Sequence, residues 1–149
     1  MTHIRRLAVI GAGTMGRGIA QTAAAAGIDV ALCDVSTEHL HSAVDAIRKS
    51  LDEGVRRRKT SPVFRDAVLD RIRPEPDLAA AVAGIDLAVE SVPESLPLKQ
   101  ETFRRLDAAA PPDALLASNT SALPVAELAA VTTRPALVLG LHFFNPVPL

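Results

Sequence analysis

Three observations predict a doubly wound parallel sheet with helices on both faces, the three-layer α/β/α class. Short apolar runs alternate with helix-like stretches along the whole chain, the pattern of parallel strands joined by crossover helices. The runs are continuously apolar rather than alternating, as strands buried on both faces require. The first of them, Leu7-Ala8-Val9-Ile10, ends in glycines and passes into a helix without a spacer. One domain over residues 1–149 is expected, because a chain of this length with 48% hydrophobic residues buries roughly 70% of its unfolded surface.

The alanine-rich stretch 14–26 forms the first helix and closes at Gly27, a residue suited to the left-handed position after a helix end. Residues 28–33 form the second strand, and Ser36 caps a helix reaching about Leu51. From Glu53 the chain turns polar, with the basic run Arg56-Arg57-Arg58-Lys59 and then Pro62, so a helix end, a loop and a further helix over 63–70 are expected. A third strand falls at 71–73, a fourth at 85–90, a helix at 96–109 and a fifth strand at 115–117. A short helix at 125–131 and a sixth strand at 136–141 complete the order.

Composition excludes several classes of function. Sixteen basic against seventeen acidic residues give no field that would recruit nucleic acid or an anionic membrane, so a small-molecule partner fits better. The single Cys33 rules out an internal disulfide, no Cys/His spacing suggests a metal site, and a reducing, cytoplasmic setting is expected. No segment reaches the ~18 apolar residues of a membrane span. Arg5 and Arg6 before an apolar run are not read as a leader, because charged or polar residues recur from Arg17.

The motif Gly11-Ala12-Gly13-Thr14-Met15-Gly16 stands between a strand and a helix, and Asp34 closes the next strand eighteen positions after Gly16. In that context GxGxxG is the dinucleotide fingerprint of a Rossmann unit. Gly11 permits the tight turn, Gly13 lets the backbone approach a pyrophosphate, Gly16 lets helix pack on strand, and the phosphates meet the helix N-terminus at Thr14 and Met15. Asp34 can accept hydrogen bonds from ribose hydroxyls and repels a 2′-phosphate. No arginine or lysine follows it until Arg48, so NAD is favoured over NADP. FAD shares the fingerprint and competes on this motif alone.

Ligands of doubly wound sheets bind outside the carboxyl ends of the strands. Three polar clusters fall at such ends: residues 90–94, Ser118-Asn119-Thr120-Ser121, and residues 142–145. Oxidising an alcohol needs a group that takes the hydroxyl proton, and a neutral imidazole suits it. His142 is the histidine so placed, since His3 is terminal and His39 and His41 lie on the second helix. On spacing alone, His142 is equally a histidine packed on Phe143 and Phe144.

These segments together, with the glycine motif, Glu90, Glu94 and Lys99, Ser118-Asn119-Thr120-Ser121, and Gly140-Leu141-His142-Phe143-Phe144-Asn145-Pro146-Val147-Pro148, resemble the N-terminal part of the 3-hydroxyacyl-CoA dehydrogenase family, in order and over essentially the whole chain. The resemblance implies NAD-dependent oxidation of a 3-hydroxyacyl-CoA in fatty acid metabolism, with His142 as base, Ser121 bonded to the 3-oxygen and Asn119 between nicotinamide and substrate. It implies that Glu94 and Lys99 contact the ribose and carboxamide end of the cofactor. It also likens residues 56–59 to a basic stretch near the CoA phosphates, although a solvated helix end explains them equally well.

Two departures qualify this reading. The family's histidine is oriented by a glutamate further along, and a C-terminal helical domain supplies an asparagine, much of the acyl pocket and the dimer contact. None of these follows Leu149, so the 149-residue chain is expected to lack that domain, to bind dinucleotide weakly and to turn over little or nothing. A homodimer is expected only with that domain. Second, Pro93 precedes Glu94 as in relatives that oxidise non-CoA 3-hydroxy acids, which leaves such an acid or a carrier-protein thioester as an alternative substrate. A non-catalytic NAD-binding fragment is the alternative from another class.

Overall fold

The computed structural model describes residues 3–148. Six strands form one parallel sheet: β1 (Arg6–Ile10), β2 (Asp29–Cys33), β3 (Ile72–Glu75), β4 (Leu87–Glu90), β5 (Leu115–Ser118) and β6 (Val138–Gly140), in the order β3-β2-β1-β4-β5-β6. The chain reverses direction across the sheet between β1 and β4, the switch point at which such folds bind ligands. Helices α1 (Thr14–Ala25), α2 (Thr37–Arg56) and α3 (Pro62–Asp70) follow the first two strands. Leu7, Val9, Val30 and Leu32 pack with Ile19, Leu40, Ile47 and Val68 in one core. The opposite core joins Ala8, Ile10, Ala88 and Leu116 to α4 (Leu78–Ala81), α5 (Leu96–Ala109) and α6 (Val125–Ala129). Three layers result, as the sequence predicts.

Helix ends follow local chemistry. Gly27 takes φ +88° after α1, with its N–H donating to Ala24 O and the Ile28 N–H to Ala23 O, which satisfies the last carbonyls. Ser36 and Ser61 cap α2 and α3 through His39 N and Phe64 N, and Pro62 opens α3 where its missing N–H costs nothing. Helix α2 runs five residues beyond the expected Leu51, because Leu40, Ala43, Ile47 and Leu51 continue one buried stripe and Glu53 pairs with Arg56 and Arg57. Its end is unusual: Arg58 occupies the left-handed position at φ 55°. A side chain there costs about 1 kcal/mol relative to glycine. Arg58→Gly is therefore expected to raise the melting temperature by about 2–4 °C in a thermal scan; an unchanged or lower value would remove strain as the account of this turn.

Several elements differ from the sequence expectations: β4 begins at Leu87 rather than 85 and α6 ends at Ala129 rather than 131, while three further regions differ for identifiable reasons. Strand β3 lies at Ile72–Glu75 rather than 71–73 and contains Pro74, tolerated because β3 is an edge strand with one unpaired side. Helix α4 was not foreseen; it is a single turn capped by the Asp77 carboxylate, which accepts from Ala80 N at 3.1 Å. Residues 136–141 begin as a 3-10 turn, Pro135–Leu137, before β6. That turn is anchored by Arg134, whose guanidinium donates to the Asp107 carboxylate at 2.7 Å and to carbonyls at the end of α5. Burial alone would raise the Asp107 carboxyl, but bonds from the Thr133 N–H and Arg134 outweigh it and hold the group below the usual carboxylate range. No helix among the described residues is long and apolar enough to cross a membrane.

Candidate functional site at the switch point

The carboxyl ends of the strands present the polar clusters side by side: Asp34 at β2, the glycine turn at β1, residues 90–94 at β4, residues 118–121 at β5 and residues 142–145 at β6. At one strand spacing per step, Asp34 and His142 are about 19 Å apart along this edge, so the site is elongated. One cleft of about 860 Å³ runs along it. Gly11, Gly13, Thr14, Met15, Asp34, Glu94, Lys99, Asn119, Ser121 and His142 all line it. Gly16 lies beneath, at the contact of α1 with the turn.

Each glycine of the turn meets a different demand. Gly11 has φ +102°, and a Cβ there would lie 2.7 Å from Ser91 O. A Cβ on Gly16 would stand 1.8 Å from Gly11 O, so only hydrogen fits where α1 crosses the turn. A Cβ on Gly13 would meet nothing within 4 Å, which leaves an open cradle above the first turn of α1. No side chain caps that helix, so its first N–H groups remain free for an anion in the cleft. This cradle fits a pyrophosphate.

Asp34 serves the same end of the cleft from β2. Its Oδ2 accepts the Ala12 N–H at 2.9 Å and its Oδ1 accepts the Ser36 N–H at 2.9 Å, so the carboxylate fixes the glycine turn while retaining lone pairs for ribose hydroxyls. His39 Nδ1 stands 3.4 Å from Oδ1. Val35, 91% exposed, and Leu78 offer apolar walls beside it. Cys33 lies on the floor, where burial first and then the Asp34 and Glu75 carboxylates push its thiol up to about 11. It is no thiolate nucleophile at neutral pH.

At the far end His142 is exposed, its ring tilted 51° against Phe144 at 4.7 Å. The packing alternative thus holds for one face only: among the described residues no hydrogen bond engages its nitrogens and no carboxylate pairs with it. Asn119 Oδ1 accepts the Phe143 N–H at 2.8 Å, which ties the segment carrying His142 to the β5 loop. Ser121 is exposed on the cleft rim, and Glu94 accepts a hydrogen bond from the Thr120 hydroxyl. Lys99 is no solvent-facing helical residue: it is 1% exposed, and its ammonium donates to Glu90 Oε1 at 2.6 Å and Val92 O at 3.0 Å. The basic run 56–59 lies at the exposed end of α2, outside the cleft lining, with Arg56 and Arg57 paired to Glu53.

The cleft also holds residues that the sequence did not single out. Asn145 sits two residues past Phe143, at the end of the polar cluster 142–145. Ser91 and Arg105 also line it, and Arg105 carried no signal because only the rotation of α5 brings it there.

A doubly wound sheet with a glycine turn and an uncapped helix start beside its switch point, and a carboxylate bonded to that turn from the end of β2, defines a dinucleotide-binding Rossmann domain. Comparison with known proteins makes this specific: the chain belongs to the family described as "3-hydroxyacyl-CoA dehydrogenase, NAD binding domain", whose model matches residues 6–149. Its cofactor is accordingly NAD. A probable 3-hydroxybutyryl-CoA dehydrogenase of Bacillus subtilis is 42% identical over 147 residues, 99% of this chain and 51% of that protein. The 3-hydroxyadipyl-CoA dehydrogenase of Escherichia coli is 41% identical over 100% of this chain and 31% of its own length. A crystal structure of 3-hydroxybutyryl-CoA dehydrogenase from E. coli K12 superposes with a TM-score of 0.97 at 40% identity, covering 99% of this chain and 31% of that one. The chain thus spans about 31–51% of the length of these relatives.

Proposed function

We propose that this chain is the cofactor-binding part of an NAD-dependent dehydrogenase that interconverts 3-hydroxyacyl and 3-oxoacyl thioesters of CoA in the cytoplasm, within fatty acid metabolism. One observation carries the reading: His142 stands exposed, with free ring nitrogens, in the same cleft as the pyrophosphate cradle and Asp34. The names of the relatives support the substrate class, and the lone, buried Cys33 suits a reducing compartment.

Each residue has a task in that reaction. Free N–H groups at the start of α1 hold the pyrophosphate, and Asp34 accepts the adenosine ribose hydroxyls. Glu94 and Lys99 border the nicotinamide half. When bound, NAD takes hydride from the 3-carbon, or its reduced form returns it. His142 removes the proton of the 3-hydroxyl, or donates it in the reverse direction. Ser121 would donate a hydrogen bond to that oxygen and orient it. Asn119 serves the junction of nicotinamide and substrate.

Pro93, exposed on the cleft rim, favours a second reading in which the substrate is a 3-hydroxy acid without CoA or a carrier-protein thioester. Titration with NADH, NADPH and ADP, followed by addition of acetoacetyl-CoA or acetoacetate while NADH absorbance is watched, separates the possibilities. NADH is expected to bind more tightly than NADPH, and the complete gene product is expected to consume NADH with the CoA ester. Consumption with acetoacetate alone would move the assignment to the second reading, and no dinucleotide binding would end both.

A further inference from the structure

We propose that Glu90, which touches neither cofactor nor substrate in the reaction above, is a positioning residue for the nicotinamide half of the cleft, acting through Lys99 and Ser118. The proposal rests on reading the cleft as an NAD site. Glu90 is 0% exposed at the end of β4, the strand that borders the switch point opposite β1. Its carboxylate collects donors from three segments: Lys99 Nζ of α5 at 2.6 Å and the Val92 N–H of the β4 loop at 2.7 Å reach Oε1, and the Ser118 hydroxyl of β5 reaches Oε2 at 2.7 Å. Ser118 Oγ in turn accepts the Thr120 N–H at 3.2 Å, and the Thr120 hydroxyl donates to Glu94. Lys99 and Glu94, the two charged residues that border the nicotinamide half, are therefore joined by one set of linked contacts in which Glu90 holds Lys99 directly and reaches Glu94 through Ser118 and Thr120.

Stability alone does not explain a full ion pair at this point. Replacing a buried pair by apolar residues of similar volume is often neutral or stabilising, so retaining one favours geometry over energy as its use. The geometry here is specific. An ammonium has three donors, and Glu90 Oε1 and Val92 O take two, leaving one for the cleft that Lys99 lines. The carboxylate fixes which donor that is. Through Ser118 it also sets the turn that carries Asn119 and Thr120.

The test compares two ligands on the purified chain by calorimetry: NADH, which reaches both halves of the cleft, and ADP, which reaches only the adenosine half. Glu90→Gln keeps the volume and removes the charge. It is expected to leave ADP affinity within about twofold while weakening NADH by about tenfold or more, the scale of one misplaced charge-assisted hydrogen bond. NADH affinity equal to wild type, or equal losses for both ligands, would overturn the proposal. If Glu90→Gln does not fold, Ser118→Ala, which removes one of the three donors, decides in the same way with a smaller selective loss of NADH expected. Wild-type protein that binds neither ligand would overturn the NAD reading itself, whereas wild-type binding with an indifferent Glu90→Gln overturns the positioning role alone.

Discussion

Gly16→Ala is expected to abolish dinucleotide binding and to lower the melting temperature by about 6–12 °C, the consequence of about 3 kcal/mol of overpacking in a domain of this size. The added methyl would sit 1.8 Å from Gly11 O and 2.9 Å from Gly11 C, with Val9 Cγ1 at 3.4 Å behind it. None of the first two is a flexible side chain that could swing aside. Either α1 lifts off β1, which opens the core at Ile19 and Ala20, or the turn moves away from the cleft and takes its phosphate cradle with it. Gly13→Ala isolates the second consequence. Its Cβ meets no protein atom within 4 Å and its backbone φ of −68° suits any residue, so stability should hold while NADH affinity falls. If Gly16→Ala melted and bound like wild type, the close contact of helix and turn would not be what shapes the cradle.

The alternation of apolar runs and helical stretches was enough to read the layers and six parallel strands, because a strand buried on both faces leaves a continuous run that no surface helix shares. Short elements were less legible. The turn of α4 is four residues long, and its Leu78-Ala79-Ala80-Ala81 reads equally as loop, since one turn shows no period. Strand β3 is four residues long and contains Pro74, which only its position at the sheet edge makes acceptable, so its end has no clear signal in the sequence. Helix α2 outlasted its expected end because Glu53, a charge that looked like the start of a polar loop, is neutralised within the helix by Arg56 and Arg57.

Much of the candidate site was legible for a related reason. Residues at the carboxyl ends of parallel strands converge whatever the loop lengths, so strand ends alone bring Asp34, Asn119, Ser121 and His142 to one cleft. What a linear reading missed depends on three dimensions. Arg105 enters by the rotation of α5, and Lys99 is buried rather than exposed because Glu90, nine residues earlier, supplies its counter-charge. The double use of Asp34, bonded to Ala12 and Ser36 as well as facing the cleft, likewise has no signature in the sequence.

Replacing His142 by asparagine in the complete gene product is expected to lower kcat for acetoacetyl-CoA reduction by about 10²–10⁴-fold, the usual contribution of a positioned acid or base, with NADH affinity unchanged within about twofold. The split follows from the placement of the residue. His142 stands at the end of β6, the edge strand furthest from Asp34, and it adds nothing to the pyrophosphate cradle. Its backbone is held from the next residue, where the Phe143 N–H is bonded to Asn119, while the ring is steadied on one face by Phe144 and keeps both nitrogens available. A base that must meet a substrate oxygen needs this combination of a fixed main chain and an unengaged ring. Asn119→Ala should therefore also lower kcat, by releasing the segment rather than removing the base, and Asn119→Asp, which keeps an acceptor for the Phe143 N–H, should lose less. If His142→Asn kept more than about a tenth of the wild-type kcat, proton transfer would have to pass through another group. Ser121, a hydroxyl residue on the cleft rim, would then be the residue to replace next.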